Sequence, residues 1–394
     1  MPTSLIVALE SALDAKRTAG LFRRRATVES AQGPRVEVAG REFVAFASND
    51  YLGLANDPRV ITAARDAVSR WGVGAGASHL VSGHFSPHAV LEDELAAFVA
   101  PCAGANALTF SSGYLANLAI LSALAGRNDA IFADRLNHAC LNDGALLARA
   151  EFVRYPHGDM VALEQRLAAS KSGRKFIATD AVFSMDGDLA PLPRLLELAN
   201  VYDACLVVDD AHGFGVLGEG RGSLAHFGIA SERIVYMATL GKAAGVAGAF
   251  VAAHPSVIET LVQTARPYIY TTAAPPLLAA ALRVALAVIR DDAGRRAHLT
   301  QLIVQFRDAA SDLPWTVMPS MTAIQPLLVG DSGAAMDIAA ALRERGFWVP
   351  AIRPPTVPQG TARLRVSLSA AHTSDDIANL ASALHAVAAG EMRA

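Results

Sequence analysis

Lys242 stands in a stretch of sequence that is unusual for a lysine. It follows the apolar run 234–238, and the residues after it, 243–249, are mostly glycine and alanine and carry no charge. Loss of surrounding water favours the neutral amine, and a neutral lysine amine can form a Schiff base with a carbonyl compound. A solvated loop lysine is the ordinary alternative, and the apolar neighbours argue against it. Lys242 is therefore predicted to act as a nucleophile.

Two carboxylates and a histidine end a second apolar run. Asp209, Asp210 and His212 follow residues 205–208. The carboxyl ends of strands form the ligand-binding edge of open α/β sheets, although acidic residues also end strands as turn formers or helix caps. The same Asp-Asp-Ala-His pattern occurs in ATPases, which also need an upstream G-x-x-x-x-G-K-[ST] loop. The only Gly-Lys pair of the chain ends at Lys242, downstream of this run, so the pattern does not indicate an ATPase.

Further polar residues also follow predicted strands. Ser112 and Gly113 open a helix, where free backbone N–H groups and the helix dipole could hold a phosphate. A plain serine N-cap would have the same geometry. Ser184 lies in Phe-Ser-Met-Asp-Gly-Asp, and His138 ends the run Asp-Arg-Leu-Asn-His. A lone histidine at such a place is usually a surface or capping residue.

These residues lie in a region whose pattern predicts a mostly parallel sheet. From about residue 100 to 255, short β-branched or apolar runs alternate with longer segments rich in alanine and leucine, which is typical of βαβ units. The expected class is α/β. The seven candidate strands are 107–110, 130–133, 152–155, 175–179, 205–208, 234–238 and 247–252. Helices are expected between them, for example at 115–125 and 160–170.

The pattern changes after Pro275. A long helix is expected from there to about residue 313, followed by a strand, a helix at 334–345 and a strand at 362–369. This succession indicates a smaller α+β domain. The predicted organisation is an N-terminal helix with short strands at 1–45, a large α/β domain at 46–275 and a small C-terminal domain at 276–394.

Composition and charge exclude several classes of partner. Of the 394 residues, 52% are hydrophobic and 18% are charged, which suits a large globular core. The formal net charge is -3 and the only compact basic run is residues 23–25, so nucleic-acid binding is not expected. The three cysteines are far apart and lack CxxC spacing, so they predict neither disulfides nor a metal site. A reducing cytoplasm is the expected location.

No membrane segment is expected either. Leu5, Leu9 and Leu13 recur at helical spacing with charged residues between them, which indicates an amphipathic helix and not the apolar core of a secretory signal. The most apolar later stretch, 273–289, contains two prolines and Arg283. It is therefore predicted to be a buried helix.

The order Asp209, His212, Thr239, Lys242 resembles the fold-type I pyridoxal-phosphate enzymes, in which an aspartate and a lysine follow successive strands of one large domain. The resemblance implies pyridoxal 5′-phosphate as the cofactor, bound covalently by Lys242, which would also move the substrate α-proton. Asp209 would pair with the pyridine nitrogen and keep it protonated. His138 would stack on the ring and counts with Lys242 and Asp209 as catalytic. The other implied cofactor contacts are Gly113, Tyr114, Ser184, His212, Thr239 and, in a neighbouring subunit, Thr272.

Two N-terminal runs narrow the resemblance. Residues 48–53, Ser-Asn-Asp-Tyr-Leu-Gly, and residues 72–78, Gly-Val-Gly-Ala-Gly-Ala-Ser, resemble the signature of the α-oxoamine synthases. The second run follows a helical stretch and does not fit the dinucleotide pattern G-x-G-x-x-G. Members of this subgroup condense glycine, alanine or serine with an acyl thioester and release carbon dioxide. Two positions depart from the pattern: Asp180 stands where glutamate is expected, and His79 interrupts the Gly/Ser tract.

A cationic side chain must hold the substrate carboxylate, and arginine suits this because its donors match both oxygens. Arg353, in Ile-Arg-Pro-Pro-Thr-Val-Pro, is the candidate, in a loop stiffened by prolines. A surface arginine before two prolines is the alternative. The run resembles the branch of the subgroup that joins L-alanine to a pimeloyl thioester in biotin biosynthesis. The substrate-binding residues implied by the resemblance are Arg23, Asn49, His138, Arg353 and Thr356.

The resemblance also implies a homodimer, because Tyr270-Thr271-Thr272 is similar to a segment that reaches the phosphate bound by the neighbouring subunit. The sequence leaves open which threonine makes the contact, and whether the acyl group arrives on acyl carrier protein or on coenzyme A. The alternatives are a synthase that uses glycine or serine and an aminotransferase of the same fold. A transcription regulator with this fold would need a DNA-binding segment, which the short N-terminal region does not provide.

Overall fold

The computed structural model describes residues 4–23 and 25–390. Its strands are β1 (Arg35–Val38), β2 (Arg41–Ala45), β3 (Asn106–Phe110), β4 (Ala130–Asp134), β5 (Glu151–Tyr155), β6 (Lys175–Asp180), β7 (Ala204–Asp209), β8 (Ile234–Thr239), β9 (Ala249–Ala253), β10 (Thr316–Val317), β11 (Ile324–Gly330), β12 (Phe347–Trp348), β13 (Ala351–Ile352) and β14 (Ala362–Ser367). Its α-helices are α1 (Leu5–Thr18), α2 (Pro58–Trp71), α3 (Ser86–Val99), α4 (Gly113–Leu124), α5 (Ala139–Ala148), α6 (Met160–Ala169), α7 (Leu192–Val201), α8 (Ser223–Phe227), α9 (Pro255–Thr264), α10 (Arg266–Ile269), α11 (Pro276–Asp291), α12 (Ala293–Ala309), α13 (Ser332–Glu344) and α14 (Ser374–Ala388). A π-helical turn (His79–Gly83) precedes α3.

A seven-stranded sheet forms the centre of the fold, in the order β3-β9-β8-β7-β6-β4-β5. Strand β9 is antiparallel to both of its neighbours, and the pairs from β8 to β5 are parallel. All seven predicted strands are present, and their bounds differ from the predicted ones by at most two residues. The predicted α/β class with a mostly parallel sheet is confirmed.

The sheet is covered on both faces, which explains why its strands are continuous apolar runs. Alternate residues of a strand point to opposite faces. In β7, Leu206 and Val208 pack in the larger apolar cluster, and Val207 packs in the second cluster with Ile120 of α4. All four are buried. The polar residues at the strand ends are therefore the first that can reach solvent or a ligand.

The C-terminal part contains an antiparallel four-stranded sheet in the order β10-β11-β14-β13. The expected single helix from Pro275 to about residue 313 is wrong, because the chain breaks at Asp292 into α11 and α12. Asp292 has φ -100° and ψ 74°, and its carboxylate accepts the N–H of Arg295 at 3.1 Å. It is thus an N-cap, a role that favours aspartate and interrupts the helix before it.

The two N-terminal strands form a three-stranded sheet with the C-terminal strand β12. β1 pairs with β2, and β2 pairs in parallel with β12, where Val44 lies opposite Phe347. The division of the chain at about residues 45 and 275 stays a prediction. The predicted N-terminal helix is present as α1, and its apolar residues are exposed, Leu5 by 72%. Within residues 4–23 and 25–390, no helix has the length and apolar character needed to span a membrane.

Candidate active site

A cavity opens at the carboxyl edge of the central sheet, where β7 ends at Asp209 and β8 at Thr239. The two strands are parallel and Asp209 lies opposite Met237, so both ends meet at the same edge. Helix α4 begins at Gly113, three residues beyond the end of β3, and adds its N-terminus to the cavity. The cavity volume is about 190 Å³.

The cavity collects side chains that are far apart in the sequence. Eight of the nine residues predicted to contact the cofactor line it, namely Gly113, Tyr114, His138, Ser184, Asp209, His212, Thr239 and Lys242. Four residues that the sequence did not single out for cofactor binding complete the lining, namely Cys140, Asp180, Ala211 and Met237. The ninth predicted residue, Thr272, is exposed elsewhere on the chain.

Lys242 is joined to a chain of hydrogen bonds that leads through His212 to the buried Tyr51. Its Nζ lies 2.8 Å from Nε2 of His212, and Nδ1 of His212 lies 2.6 Å from the hydroxyl of Tyr51. Burial lowers the pKa of Lys242, although Asp209 and Asp180 oppose this. Burial, together with the charge of Lys242, also holds the pKa of His212 well below its ordinary value. The site therefore favours the neutral amine that a nucleophilic lysine requires.

The two adjacent aspartates have different surroundings. Asp209 lines the cavity, and its two carboxylate oxygens accept hydrogen bonds from Asn117 Nδ2 at 2.6 Å and from the N–H of Ala211 at 2.9 Å. Asp210 points away and accepts from Ser223 and Tyr236. Burial raises the pKa of Asp210 to about 7. Two hydrogen-bond donors thus fix the Asp209 carboxylate at the cavity wall, whereas the Asp210 carboxylate is bound by Ser223 and Tyr236 away from the cavity.

His138 is held by its backbone as well as its ring. It caps α5, with Nδ1 accepting the N–H of Cys140 at 3.3 Å, and its own N–H donates to Oδ2 of Asp180 at 2.7 Å. Burial lowers the pKa of His138. Because Nδ1 is an acceptor, the neutral ring carries its proton on Nε2. Asp180, the residue that departs from the expected glutamate, therefore positions His138.

The lining fits pyridoxal 5′-phosphate in its chemistry. The cofactor has a basic ring nitrogen, an aldehyde and a phosphate, and the cavity offers a carboxylate at Asp209, a desolvated amine at Lys242 and a helix N-terminus at Gly113. Ser112 accepts the N–H of Leu115 at 3.3 Å, so it is also the helix cap that the sequence allowed as an alternative. Capping of the helix by Ser112 and binding of a phosphate at the helix N-terminus are compatible, because the Ser112 hydroxyl accepts only the N–H of Leu115 among the N–H groups of the first turn.

Of the predicted substrate residues, His138 lines the cavity, whereas Arg23, Asn49, Arg353 and Thr356 lie outside its lining. Asn49 is linked to the cavity through Tyr51. The Tyr51 hydroxyl donates to Oδ1 of Asn49 at 3.1 Å and also lies 2.6 Å from Nδ1 of His212, which lines the cavity. Arg353 is half-buried and donates to the carbonyl of Gly20, next to the Pro354-Pro355 cis peptide bond. Arg23 and Thr356 are exposed.

Arg365 is a buried cation beside the site that the sequence analysis missed. Its Nε donates to the carbonyl of Ser184 at 2.6 Å, and its Nη2 donates to Oδ1 of Asn49 at 3.2 Å and to the Tyr51 hydroxyl at 3.5 Å. Only 6% of the residue is exposed. The available signal was an arginine inside an apolar strand, because a buried arginine needs a partner or a function.

The fold and this cavity define a pyridoxal-phosphate enzyme of fold type I. Residues 41–384 match the family model described as aminotransferase class I and II. A serine palmitoyltransferase from Sphingomonas wittichii superposes with a TM-score of 0.91 at 28% identity over 100% of this chain and 99% of that one. Another serine palmitoyltransferase, from S. paucimobilis, has a TM-score of 0.91 at 28% identity, covers 100% and 99% of the two chains, and was solved with a bound PLP-myriocin aldimine.

Curated relatives narrow the assignment. An 8-amino-7-oxononanoate synthase of Janthinobacterium sp. (strain Marseille) is 59% identical over 96% of this chain and 98% of its own length, and one of Herminiimonas arsenicoxydans is 57% identical over the same shares. The solved 8-amino-7-oxononanoate synthase of Francisella tularensis has a TM-score of 0.76 at 32% identity, covering 89% of this chain and 98% of that one. The chain belongs to the family of 8-amino-7-oxononanoate synthases.

Proposed function

We propose that this chain joins L-alanine to a pimeloyl thioester and releases carbon dioxide and the free thiol of the carrier. The product is 8-amino-7-oxononanoate, a precursor in biotin biosynthesis. Pyridoxal 5′-phosphate, when bound, supplies an electron sink for the α-carbon of the amino acid. The observation that carries the proposal is the half-buried amine of Lys242, 2.8 Å from His212 in a cavity that also contains Asp209.

Lys242 is proposed to bind the cofactor covalently and then to take the α-proton of alanine on Nζ. Its lowered pKa suits both tasks, because an ammonium group could do neither. His212, in contact with Nζ, keeps the amine oriented through its own bond to Tyr51. Asp209 would face the ring nitrogen of the cofactor, and Asn117 and Ala211 would keep its carboxylate in place.

His138 is proposed to cover the cofactor and to contact the substrates. Asp180 fixes its backbone and Cys140 occupies its Nδ1, so Nε2–H stays available to donate to a substrate oxygen. Gly113, Tyr114, Ser184 and Thr239 would contact the rest of the cofactor, as the sequence analysis predicts. Of these residues, Tyr114 is fixed from outside the cavity by its hydrogen bond to Asp143.

Two arginines are candidates for holding the substrate carboxylate. Arg353 is the sequence-based candidate, and Arg23 and Thr356 would accompany it near the acyl substrate. Arg365 is favoured by its position, because it contacts both Asn49 and Ser184. The guanidinium of Arg365 donates four hydrogen bonds, to the backbone carbonyl of Ser184 and to the side chains of Ser367, Asn49 and Tyr51. A guanidinium has five N–H donors, so one N–H is left for a ligand.

The proposed assembly is a cytoplasmic homodimer. Thr272 and Tyr270 are exposed, Tyr270 by 71%, which suits a segment that contacts a second copy. We propose that Thr272 or Thr271 reaches the phosphate in the neighbouring subunit. The acyl carrier is acyl carrier protein or coenzyme A.

The reaction is tested by mixing the loaded enzyme with L-alanine and either pimeloyl-coenzyme A or pimeloyl-acyl carrier protein. Release of free thiol and carbon dioxide in equal amounts is expected, and glycine and serine serve as competing amino acids. An aminotransferase would release neither. Borohydride should trap the cofactor on Lys242, and a label on another lysine would overturn the assignment of the site.

A further inference from the structure

Three histidines meet about the start of α3, apart from the active-site cavity. His79 begins the π-helical turn, His84 follows that turn, and His88 lies in the first turn of α3. One ring nitrogen of each lies within 4.8 Å of the corresponding nitrogens of the other two. The sequence analysis noticed His79 only as an interruption of a small-residue tract, because spacings of five and four residues across a loop form no recognised metal motif.

The rings are arranged so that an ion could replace a hydrogen bond. Nδ1 of His79 and Nδ1 of His84 are 2.9 Å apart, so one of them donates a proton to the other. Two nitrogens bound tetrahedrally to zinc at about 2.0–2.1 Å lie roughly 3.3 Å apart. The two rings therefore need to separate by only a few tenths of an ångström. The His79 ring is held in place by stacking on Tyr268, with ring centroids 5.1 Å apart.

Hydrogen-bond acceptors stand behind two of the rings. Nε2 of His88 donates to the carbonyl of Ala274 at 2.9 Å, and Nε2 of His84 lies 4.0 Å from Oε2 of Glu92. Glu92 is itself fixed by Thr109, which donates to its other oxygen. Metal-binding histidines usually direct their second nitrogen to a carbonyl or carboxylate, as His88 does here. Nδ1 of His88 accepts the N–H of Phe85 at 3.0 Å, and this bond would give way to the ion.

The charges in the cluster are also suitable for a cation. Burial lowers the pKa of each of the three histidines, that of His79 to about 4, so the rings are in the neutral form that binds metals. Burial raises the pKa of Glu92 to about 7, and a nearby cation would favour its ionised form.

We propose that His79, His84 and His88 form a binding site for a divalent transition-metal ion, with zinc as the best match. Imidazole ligands suit zinc, copper, nickel and cobalt, and they do not suit magnesium or calcium, which prefer oxygen. The ion would hold the turn that begins at His79 against the segment 273–274. The chain just before this turn already contacts that segment, because the N–H of Ala273 donates to the carbonyl of Ala77 at 3.0 Å.

The test is a titration of the cofactor-loaded enzyme, freed of metal by a chelator that is then removed, with zinc by calorimetry and with cobalt(II) by visible absorption. One ion per protomer is expected, and magnesium should not bind. His84→Ala and His79→Ala should abolish binding, and Glu92→Gln should weaken it about tenfold to a hundredfold. His226→Ala changes an exposed histidine elsewhere on the chain and is the matched control, expected to bind like wild type.

Cofactor absorbance and circular dichroism show whether each variant is folded. If an alanine variant does not fold, His84→Gln and the cobalt spectrum of the wild type still decide the question. Nitrogen ligands give d–d bands without a sulfur charge-transfer band, whereas an ion bound at Cys140 would show that band. Absence of zinc and cobalt binding in the wild type, a sulfur band, or binding that survives both His79→Ala and His84→Ala would each overturn the proposal.

Discussion

Two regions of the carboxyl edge of the central sheet, one at the edge strand β5 and one at the central strands β7 and β8, have opposite electrostatics. Beyond β5, His157 bridges two carboxylates, with Nδ1 3.0 Å from Asp134 and Nε2 2.9 Å from Asp188. These hydrogen bonds raise the pKa of His157 to about 10. Beyond β7 and β8, His212 contacts Tyr51 and Lys242, and burial lowers the pKa of both His212 and Lys242.

The difference shows how one edge of a sheet can serve both stability and chemistry. Both nitrogens of His157 are occupied by carboxylates, so its charge is neutralised and no donor remains for a ligand. Lys242 and His212 are half-buried, and within the described residues no carboxylate forms a hydrogen bond with either side chain. They therefore favour neutral, reactive forms next to a cavity. Substitution of His157 should therefore mainly lower stability, whereas substitution of Lys242 should mainly lower activity.

The largest expected effect is that of Lys242→Ala. Removal of the amine eliminates both covalent cofactor attachment and proton transfer, and turnover should fall by about 10⁴-fold or more. The urea-unfolding midpoint should stay near that of the wild type, because the lysine makes no ion pair in the described structure. Thiol release in steady state and urea unfolding measure the two quantities. Substantial remaining turnover would show that the proton is moved by another group.

The next effect separates the two candidate arginines. Arg365→Ala should lower kcat/KM for alanine about thirtyfold, because one charge-assisted hydrogen bond to the substrate carboxylate contributes about 2 kcal/mol. Arg353→Ala should change it less than about fivefold, as is usual for a charge near the surface. The cofactor absorbance of each variant shows whether the site is intact. A large effect at Arg353 with a small one at Arg365 would favour the sequence-based candidate.

Asn117→Ala tests the support of Asp209. The side chain is fully buried and donates to Asp209 at 2.6 Å, so its loss should cost about 1.5 kcal/mol, or roughly a tenfold decrease in kcat/KM. The pH dependence of the cofactor absorption band should also shift, because Asp209 would be less firmly held. Asn117→Gln is a control that keeps the amide. An unchanged spectrum and pH profile with reduced stability alone would mean that Asn117 is only structural.

His157→Gln should have the smallest effect on activity and a clear effect on stability. The pKa of His157 is raised in the folded protein, so its contribution is complete below the unfolded pKa of about 6.5 and is lost as the pH rises through about 10. Two charge-assisted bonds at a partly exposed position suggest about 2 kcal/mol at pH 6. Urea unfolding of both proteins at pH 6 and pH 9.5 measures the difference, which should shrink at the higher pH. A constant difference would mean that packing against Phe183, and not charge, is responsible.

Much of the scaffold was predictable from the sequence because it depends on local patterns. The seven apolar runs determined seven strands, and the polar residues that end two of them, Asp209 and Thr239, lie at the cavity with Lys242. The positions follow from the geometry of parallel strands, whose carboxyl ends meet at one edge. The break at Asp292 was missed because an N-cap inside a helical pattern has a weak local signal.

Contacts between distant segments could not be read from such patterns. Arg365 lies beside the site because the C-terminal sheet brings it to Asn49 and Ser184, and Asn117 supports Asp209 across the sheet edge. The histidines of the proposed metal site also meet only when the π-helical turn packs against α3. The sequence by itself determined the strands and the apolar setting of Lys242, because these depend on neighbours along the chain. The tertiary structure alone decided which charges are paired and which face the cavity, because pairing depends on packing between residues far apart in sequence.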